Sequence, residues 1–286
     1  LASSALRDRL LLVAAAVLFS TGGVAVKAAS LTGWQMASCR SGVAALALLA
    51  VLPETRRGWN WRIVPVAAAY AATLVFFVVA NRLTTAANAI FLQSTAPLYM
   101  LLLGPVLLRE PIHRTGLFFM APVAVGLAMF FVGAEPAVRT APDPARGNLF
   151  AAASGLTYAL ALAGLRWLGR RDRHSGMAAV ALGNILASLA ALPLALPLRS
   201  ISTADAAVAL YLGVVQIGVA YWCVTRAMRH VTALEANTLL LLEPALNPVW
   251  VWLVQGERPG PWAISGGAII LLATLANTWR AKWVGT

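Results

Sequence analysis

Ten apolar runs, each about 20 residues long, follow one another along this chain, separated by short stretches carrying charge, proline or glycine. A run of that length, wound as a helix, matches the hydrocarbon thickness of a bilayer. In lipid every backbone donor and acceptor must be satisfied within the protein, so only helices and closed barrels can span. Strict two-residue alternation is absent and the runs are too long for barrel strands, which leaves helices. Composition agrees: 60% of residues are hydrophobic and 11% charged, against about 25% charged in ordinary soluble domains. The chain therefore reads as an all-α integral membrane protein with ten transmembrane helices, near residues 10–30, 33–52, 63–82, 86–108, 114–133, 147–167, 176–197, 205–227, 233–254 and 261–280. The first run follows Arg7 and Arg9 as a signal peptide would, but it shows no convincing cleavage site and reads as a retained helix.

A formal net charge of +12 would suggest a nucleic-acid partner in a soluble protein. Here the basic residues divide by loop. With ten spans both termini share one side, and that side collects 15 of the 22 Lys and Arg, while the other collects six, from Lys27 to Arg258. The positive-inside rule places both termini in the cytoplasm. The charge is thus a topology signal, and nucleic-acid binding falls away. Cys39 and Cys223 lie apart in apolar runs, and His113, His174 and His230 sit beside charged loops, so no metal site is expected. No Walker-type or GxGxxG run is present, so no nucleotide cofactor is expected. Asp8, Asp143, Asp172 and Asp205 are isolated near loops, and no histidine lies within a span, so the chain does not read as an enzyme.

Compared with itself at an offset of 147 residues, the chain aligns Arg82 with Arg229, Pro97 with Pro244 and Glu110 with Glu257. STAPLYMLLLGPVLLREP in one half corresponds to LLEPALNPVWVWLVQGER in the other. Each half holds five spans, and an odd number turns the second copy upside down relative to the first. The chain divides into a first repeat over 1–134, a periplasmic linker over 135–146 and a second, inverted repeat over 147–286. Inverted repeats are the architecture of secondary transporters, with a substrate site near the midplane between the copies. Gly22 with Gly23, and Gly266 with Gly267, read as close helix contacts.

The closing pattern of each half is a proline in the penultimate helix, a glutamate thirteen residues later at a loop, and then a glycine-bearing helix. It resembles the EamA domain of the drug/metabolite transporter superfamily, in two tandem copies covering nearly the whole chain. The resemblance implies ten helices in an inverted repeat, a bacterial inner-membrane location and export of amino acids or related metabolites. It lies nearest the ten-helix aromatic amino-acid exporters of the YddG type. The small four-helix multidrug members depend on a glutamate in their first helix; the run from Leu10 to Ala29 has none, so their drug/proton exchange does not carry over.

Several polar residues sit at membrane depth. Glu243 falls within the ninth span, where a carboxylate costs on the order of 2.5 to 3.5 kcal/mol on insertion scales. It is expected either to bind a substrate ammonium or a proton, or to bond neighbouring helices. Its repeat counterpart is Ala96. Glu243, Asn247 and Trp250 share a helical face at i, i+4 and i+7, as do Tyr70, Thr73, Phe77 and Asn81 in the third span. Both stripes are expected to line a cavity, together with Tyr99, Tyr158 and Tyr221, and Ser154 and Gln216 add polarity at the same depth. Pro97 and Pro244 each remove a backbone donor within a span and are expected hinges. Arg40, the basic residue inside the second span beside Ser38 and Ser41, is expected either to hold a substrate carboxylate through a charge-assisted pair or to snorkel or pair structurally, the structural role being favoured because that helix reads as peripheral. The leading expectation is a secondary exporter of amino acids, aromatic ones included, working by alternating access in the lipid bilayer, for which a monomer suffices. The alternative is efflux of cationic drugs or other small metabolites, attracted by Glu243 and cavity aromatics.

Overall fold

The structure, a computed structural model, describes residues 2–100, 114–132, 137–169, 171–172, 174–197, 201–227 and 239–284. Its helices are α1 (Ala2–Ser20), α2 (Gly22–Ala28), α3 (Gly33–Val51), α4 (Ile63–Leu83), α5 (Ala86–Gln93), α6 (Arg114–Val132), α7 (Pro144–Gly169), α8 (Ser175–Ala195), α9 (Thr203–Leu210), α10 (Ala220–Ala227), α11 (Leu242–Gln255) and α12 (Pro261–Val284). A π-helical stretch, Tyr211–Val219, joins α9 to α10. No strand occurs among the described residues, only an isolated bridge between Val138 and Ala141. Six helical segments are long and apolar enough to cross a membrane by length and composition: Leu6–Ala28, Gly33–Val51, Ile63–Leu83, Pro144–Gly169, Ser175–Ala195 and Thr203–Val224. Leu46, Phe118, Leu253 and Leu272 stand more than half exposed on the outside of the bundle, a surface suited to lipid rather than water.

The packing follows the repeat. In the first half α4 lies against α7 and α8; in the second, α10 lies against α1 and the π stretch against α3. The contact of α5 with α7 is matched by that of α11 with α1. Three pairs of equivalent helices meet directly, α3 with α8, α5 with α11 and α6 with α12. These are the contacts of two five-helix units related by a pseudo-twofold axis, with the first spans of each unit packed into the other. The protein is thus all-helical, with about ten spans in two inverted repeats.

Where the helices depart from the expected spans, polar groups and prolines explain the departure. The first span breaks at Thr21, whose hydroxyl and amide both donate to Leu18 O, at 2.7 and 3.3 Å. The fourth span breaks at Ser94 and Thr95 before resuming over 96–100, because Pro97 has no N–H to offer the preceding turn. The Ser94 hydroxyl donates to Ile90 O (2.7 Å) and the Thr95 hydroxyl to Leu92 O (2.6 Å). The ninth span shows a turn at Leu241, the repeat equivalent of Ser94, and Pro244 then falls in the first turn of α11, where its missing donor costs nothing. That helix ends at Gly256, whose φ of +68° is the left-handed cap that glycine adopts freely. α7 starts at Pro144, three residues inside the expected linker, because Asp143 caps it by accepting from Arg146 N at 3.2 Å. Arg109, Glu110, Arg229, residues 101–108 of the fourth expected span and residues 233–238 of the ninth lie outside the described residues.

Both ends of the bundle are fastened by polar contacts. At one, Lys27 Nζ lies 2.8 Å from Glu257 Oε2, with both side chains buried, and donates to Thr84 O (2.9 Å) and to Thr140 O. Glu257 Oε1 accepts from Ala86 N at 2.7 Å, so the same carboxylate satisfies an orphan donor at the start of α5. Asp205 joins this end to α9 by accepting from Ser30 N and Ser30 Oγ, both at 2.7 Å. At the other end Asp172 accepts from Ser175 Oγ (2.6 Å) and His174 N (3.0 Å), and those two bonds hold its carboxyl below the usual range.

Removing one member of a buried ion pair costs about 3–5 kcal/mol, because the other is left uncompensated, whereas replacing both with apolar groups of similar volume is often neutral. Glu257→Ala should therefore lower the thermal midpoint of the protein in detergent sharply, and a Lys27→Met/Glu257→Leu double variant should recover much of the loss. A double variant no more stable than the single one would contradict this role. A Cβ on Gly266 would lie 2.8 Å from Gly126 O and 2.9 Å from the Phe130 ring, where α6 meets α12. Gly266→Leu should destabilise by about 1–3 kcal/mol, while Gly169→Leu, with open space around it, should leave the same melting curve unchanged.

Candidate functional site

Four helices from both halves bring tyrosines and a carboxylate together at the centre. Glu243, at the second position of α11, lies within electrostatic reach of Tyr158 on α7 and Tyr221 on α10. Both tyrosines in turn interact with Tyr70 on α4. The Tyr70 and Tyr221 rings meet edge to face at 6.3 Å, and Tyr221 meets Phe19 of α1 in the same way at 5.4 Å. Such contacts fix ring positions by quadrupole as well as by packing. Tyr158, Tyr221 and Glu243 are half-buried, whereas Tyr70 is buried.

Polar groups around this cluster retain unused bonding capacity. Among the described residues Gln216 Oε1 in the π stretch and Ser41 Oγ on α3 have no hydrogen-bond partner, and the Tyr70 hydroxyl and Asn184 Oδ1 on α8 approach each other without an ordinary hydrogen bond. Arg40 of α3 is 2% exposed, within electrostatic reach of Tyr70 and Tyr221, and its Nε has no partner. Neither Arg40 nor Glu243 forms an ion pair with another described residue. Buried polar groups are ordinarily satisfied, and those beside the tyrosines keep capacity for a further partner, as do Asn88 and Asn247 elsewhere in the bundle. A polar seam leads away from it: Gln93 Nε2 donates to Ser154 Oγ (2.7 Å), Ser154 Oγ to Thr73 O (3.2 Å), and the Thr73 hydroxyl to that of Thr157 (3.0 Å).

Of the residues expected at the site, Tyr70, Tyr158, Tyr221 and Glu243 come together. Thr73 is buried beside them, engaged with Thr157. The rest of each helical stripe is used in packing. Phe77 belongs to an apolar core with Ile90, Phe91 and Ile270, and Asn81 Nδ2 bonds Phe77 O on its own helix. Asn247 is fully buried where a Cβ on Gly23 would lie 2.5 Å from its Oδ1, and Trp250 Nε1 donates to Ser20 Oγ at 2.8 Å. Those two residues seat α11 on the junction of α1 and α2. Tyr99 is half-buried and engages Thr95 on its own helix. Pro97 and Pro244 follow equivalent breaks, as described above. Gly155 of α7 lies close against the first break, where a Cβ would lie 2.9 Å from Leu92 O.

Arg40 departs from expectation. Its helix is not peripheral at this depth: α3 packs against α8, α4 and the π stretch, and Ala44, one turn on from Arg40, shares a core with Tyr70 and Tyr221. A basic residue in the middle of an apolar run was the available signal. The Lys27–Glu257 pair was signalled only by opposite charges in loops on the same side. An apolar groove of about 290 Å³ between α3 and the π stretch, lined by Leu48, Val51, Val214 and Trp222 among others, opens on the lipid-facing surface and carries no polar chemistry.

Among curated proteins no match is found. A solved structure described only as a crystal structure of a protein is similar along almost its whole length, with 18% identity over 98% of this chain and 99% of that one and a TM-score of 0.63. At that identity the likeness speaks for the fold. The family model described as the EamA-like transporter family matches twice, over residues 9–132 and 145–279. Those two stretches contain the two sets of helices that pack as pseudo-symmetric units. The chain belongs to the EamA-like transporter family and is a multi-pass membrane transporter of small molecules.

Proposed function

We propose that the protein exports amino acids, over a broad range that includes aromatic ones, across the bacterial inner membrane by alternating access around the Tyr70–Tyr158–Tyr221–Glu243 cluster. The observation that carries this reading is the cluster itself: three tyrosines and a half-buried carboxylate with no ion pair among the described residues, drawn from both inverted repeats. The carboxylate suits an ammonium group. The rings suit a bulky apolar side chain, and amphipathic tyrosines tolerate smaller ones. Thr73, Phe77, Tyr99, Asn247 and Trp250 support the wall of the site from behind or beside these groups.

In this reading the repeats, residues 1–134 and 147–286, rock against each other about the site, with both termini cytoplasmic and 135–146 as the periplasmic linker. The breaks before Pro97 and Pro244 serve as hinges, since the helix ladder is already interrupted there and bending costs few hydrogen bonds. Opening toward the periplasm separates Lys27 from Glu257 and Glu257 from the start of α5. One chain contains the whole site, so the monomer is sufficient. The alternative, efflux of cationic drugs or other metabolites, draws on the same carboxylate and aromatic faces.

Flux in proteoliposomes loaded with labelled amino acids tests the reading. The parent is expected to carry phenylalanine and smaller amino acids, and Glu243→Gln is expected to lower phenylalanine flux about tenfold or more, equivalent to about 1.4 kcal/mol. Stimulation by an imposed pH gradient that disappears in the variant assigns Glu243 to a proton; flux indifferent to the gradient leaves it to the ammonium group. Competition by lipophilic cations with no amino-acid flux would replace the proposal with the alternative. Tyr221→Leu should raise the KM for phenylalanine by about three- to tenfold, the worth of an aromatic pair, and leave that for alanine nearly unchanged. An equal rise for both would remove Tyr221 from the side-chain site.

A further inference from the structure

Arg40 differs from the other interior cations. Lys27 is paired with Glu257, and Arg82 donates to Val26 O (3.4 Å) and Ala29 O (3.0 Å). Arg40 is 2% exposed, has no ion pair among the described residues and holds an Nε without a partner. Taking a guanidinium out of water without a counter-charge is expensive, and the structure places this one beside the rings that also face Glu243. Tyr70 and Tyr221 are within reach of Arg40, while Tyr158 and Tyr221 are within reach of Glu243. A guanidinium and a carboxyl group thus address one aromatic cluster from different helices, α3 and α11, without pairing to each other.

We propose that Arg40 receives the substrate carboxylate, so that the site takes a zwitterion held between Arg40 and Glu243 rather than a simple cation. This rests on the amino-acid reading above and deepens it. An α-amino acid carries both charges on adjacent groups, and on binding it compensates both side chains at once. The planar guanidinium offers a carboxylate two parallel N–H donors, which an ammonium cannot. Asn184 and Ser41, each buried with an unpartnered oxygen near the same depth, leave the surroundings polar enough to orient that head group. The aromatic side chain is left to the tyrosines.

The test is binding of three related probes to the purified full-length protein: L-phenylalanine, phenethylamine, which lacks the carboxylate, and 3-phenylpropionate, which lacks the ammonium. The parent should prefer phenylalanine to phenethylamine by about tenfold or more, as a charge-assisted bond allows. In Arg40→Gln that preference should vanish, with phenylalanine weakened about tenfold and phenethylamine within about twofold of the parent; Arg40→Lys should keep part of it. Glu243→Gln should remove the complementary preference for phenylalanine over 3-phenylpropionate. A parent that binds phenylalanine but does not discriminate against phenethylamine overturns the role of Arg40 without any variant needing to fold. So does an Arg40→Gln protein that keeps the preference, or one that weakens both amines equally, as a structural arginine would. A parent that binds none of the three removes the amino-acid reading itself, and the zwitterion site with it.

Discussion

A polar group inside a membrane protein has no water to fall back on, and this constraint decides where the chain can be irregular. Two breaks in the helix ladder are answered by hydroxyls: Thr21 bonds back to Leu18, Ser94 to Ile90 and Thr95 to Leu92, while Gly155 lets α7 pack closely against the second break. The π-helical stretch lies where Gly213 lets α3 approach, with a Cβ on it falling 2.6 Å from Val43. Broken helices are tolerated at membrane depth only where protein or a wet interior receives the freed groups, and here the breaks surround the tyrosine cluster.

The same constraint separates two uses of charge. At the Glu257 end, opposite charges meet directly and the carboxylate also receives the Ala86 amide, so the pair is structurally complete. At the centre the buried Arg40 and the half-buried Glu243 stay apart, each within electrostatic reach of aromatic rings, with the Ser41 hydroxyl and the Gln216 amide oxygen unpartnered among the described residues. In the proposed reading the direct pair is a fastening and the separated groups a receptor, the arrangement that a carrier needs if its end contacts are to break and re-form around a fixed site.

Much of the fold was legible because it follows from long-range pattern. Apolar runs gave the spans, and the match of Arg82, Pro97 and Glu110 with Arg229, Pro244 and Glu257 gave the repeat, which reappears in the packing of α4 on α7 and of α10 on α1. The site was half legible. Helical periodicity shows which residues share a face, but a face several turns long passes from one environment to another. Tyr70 and Thr73 therefore reach the centre while Phe77, on the same stripe, enters the apolar core, and Glu243 reaches it while Asn247 and Trp250 seat their helix on α1 and α2. The second span reads as peripheral from sequence alone, yet α3 packs against α8, α4 and the π stretch, because burial depends on the partner that the other repeat supplies.

The central claim is that one set of midplane residues is exposed to each side of the membrane in turn. Side-specific labelling measures this directly, using a Tyr158→Cys variant in a Cys39→Ser/Cys223→Ser background, reconstituted in one orientation and treated with a membrane-impermeant thiol reagent from one face at a time. The account predicts that position 158 is labelled mainly from one face without substrate, and that substrate gradients of opposite direction shift the labelling between faces. Labelling from both faces at once, under every gradient, would describe an open channel and contradict it.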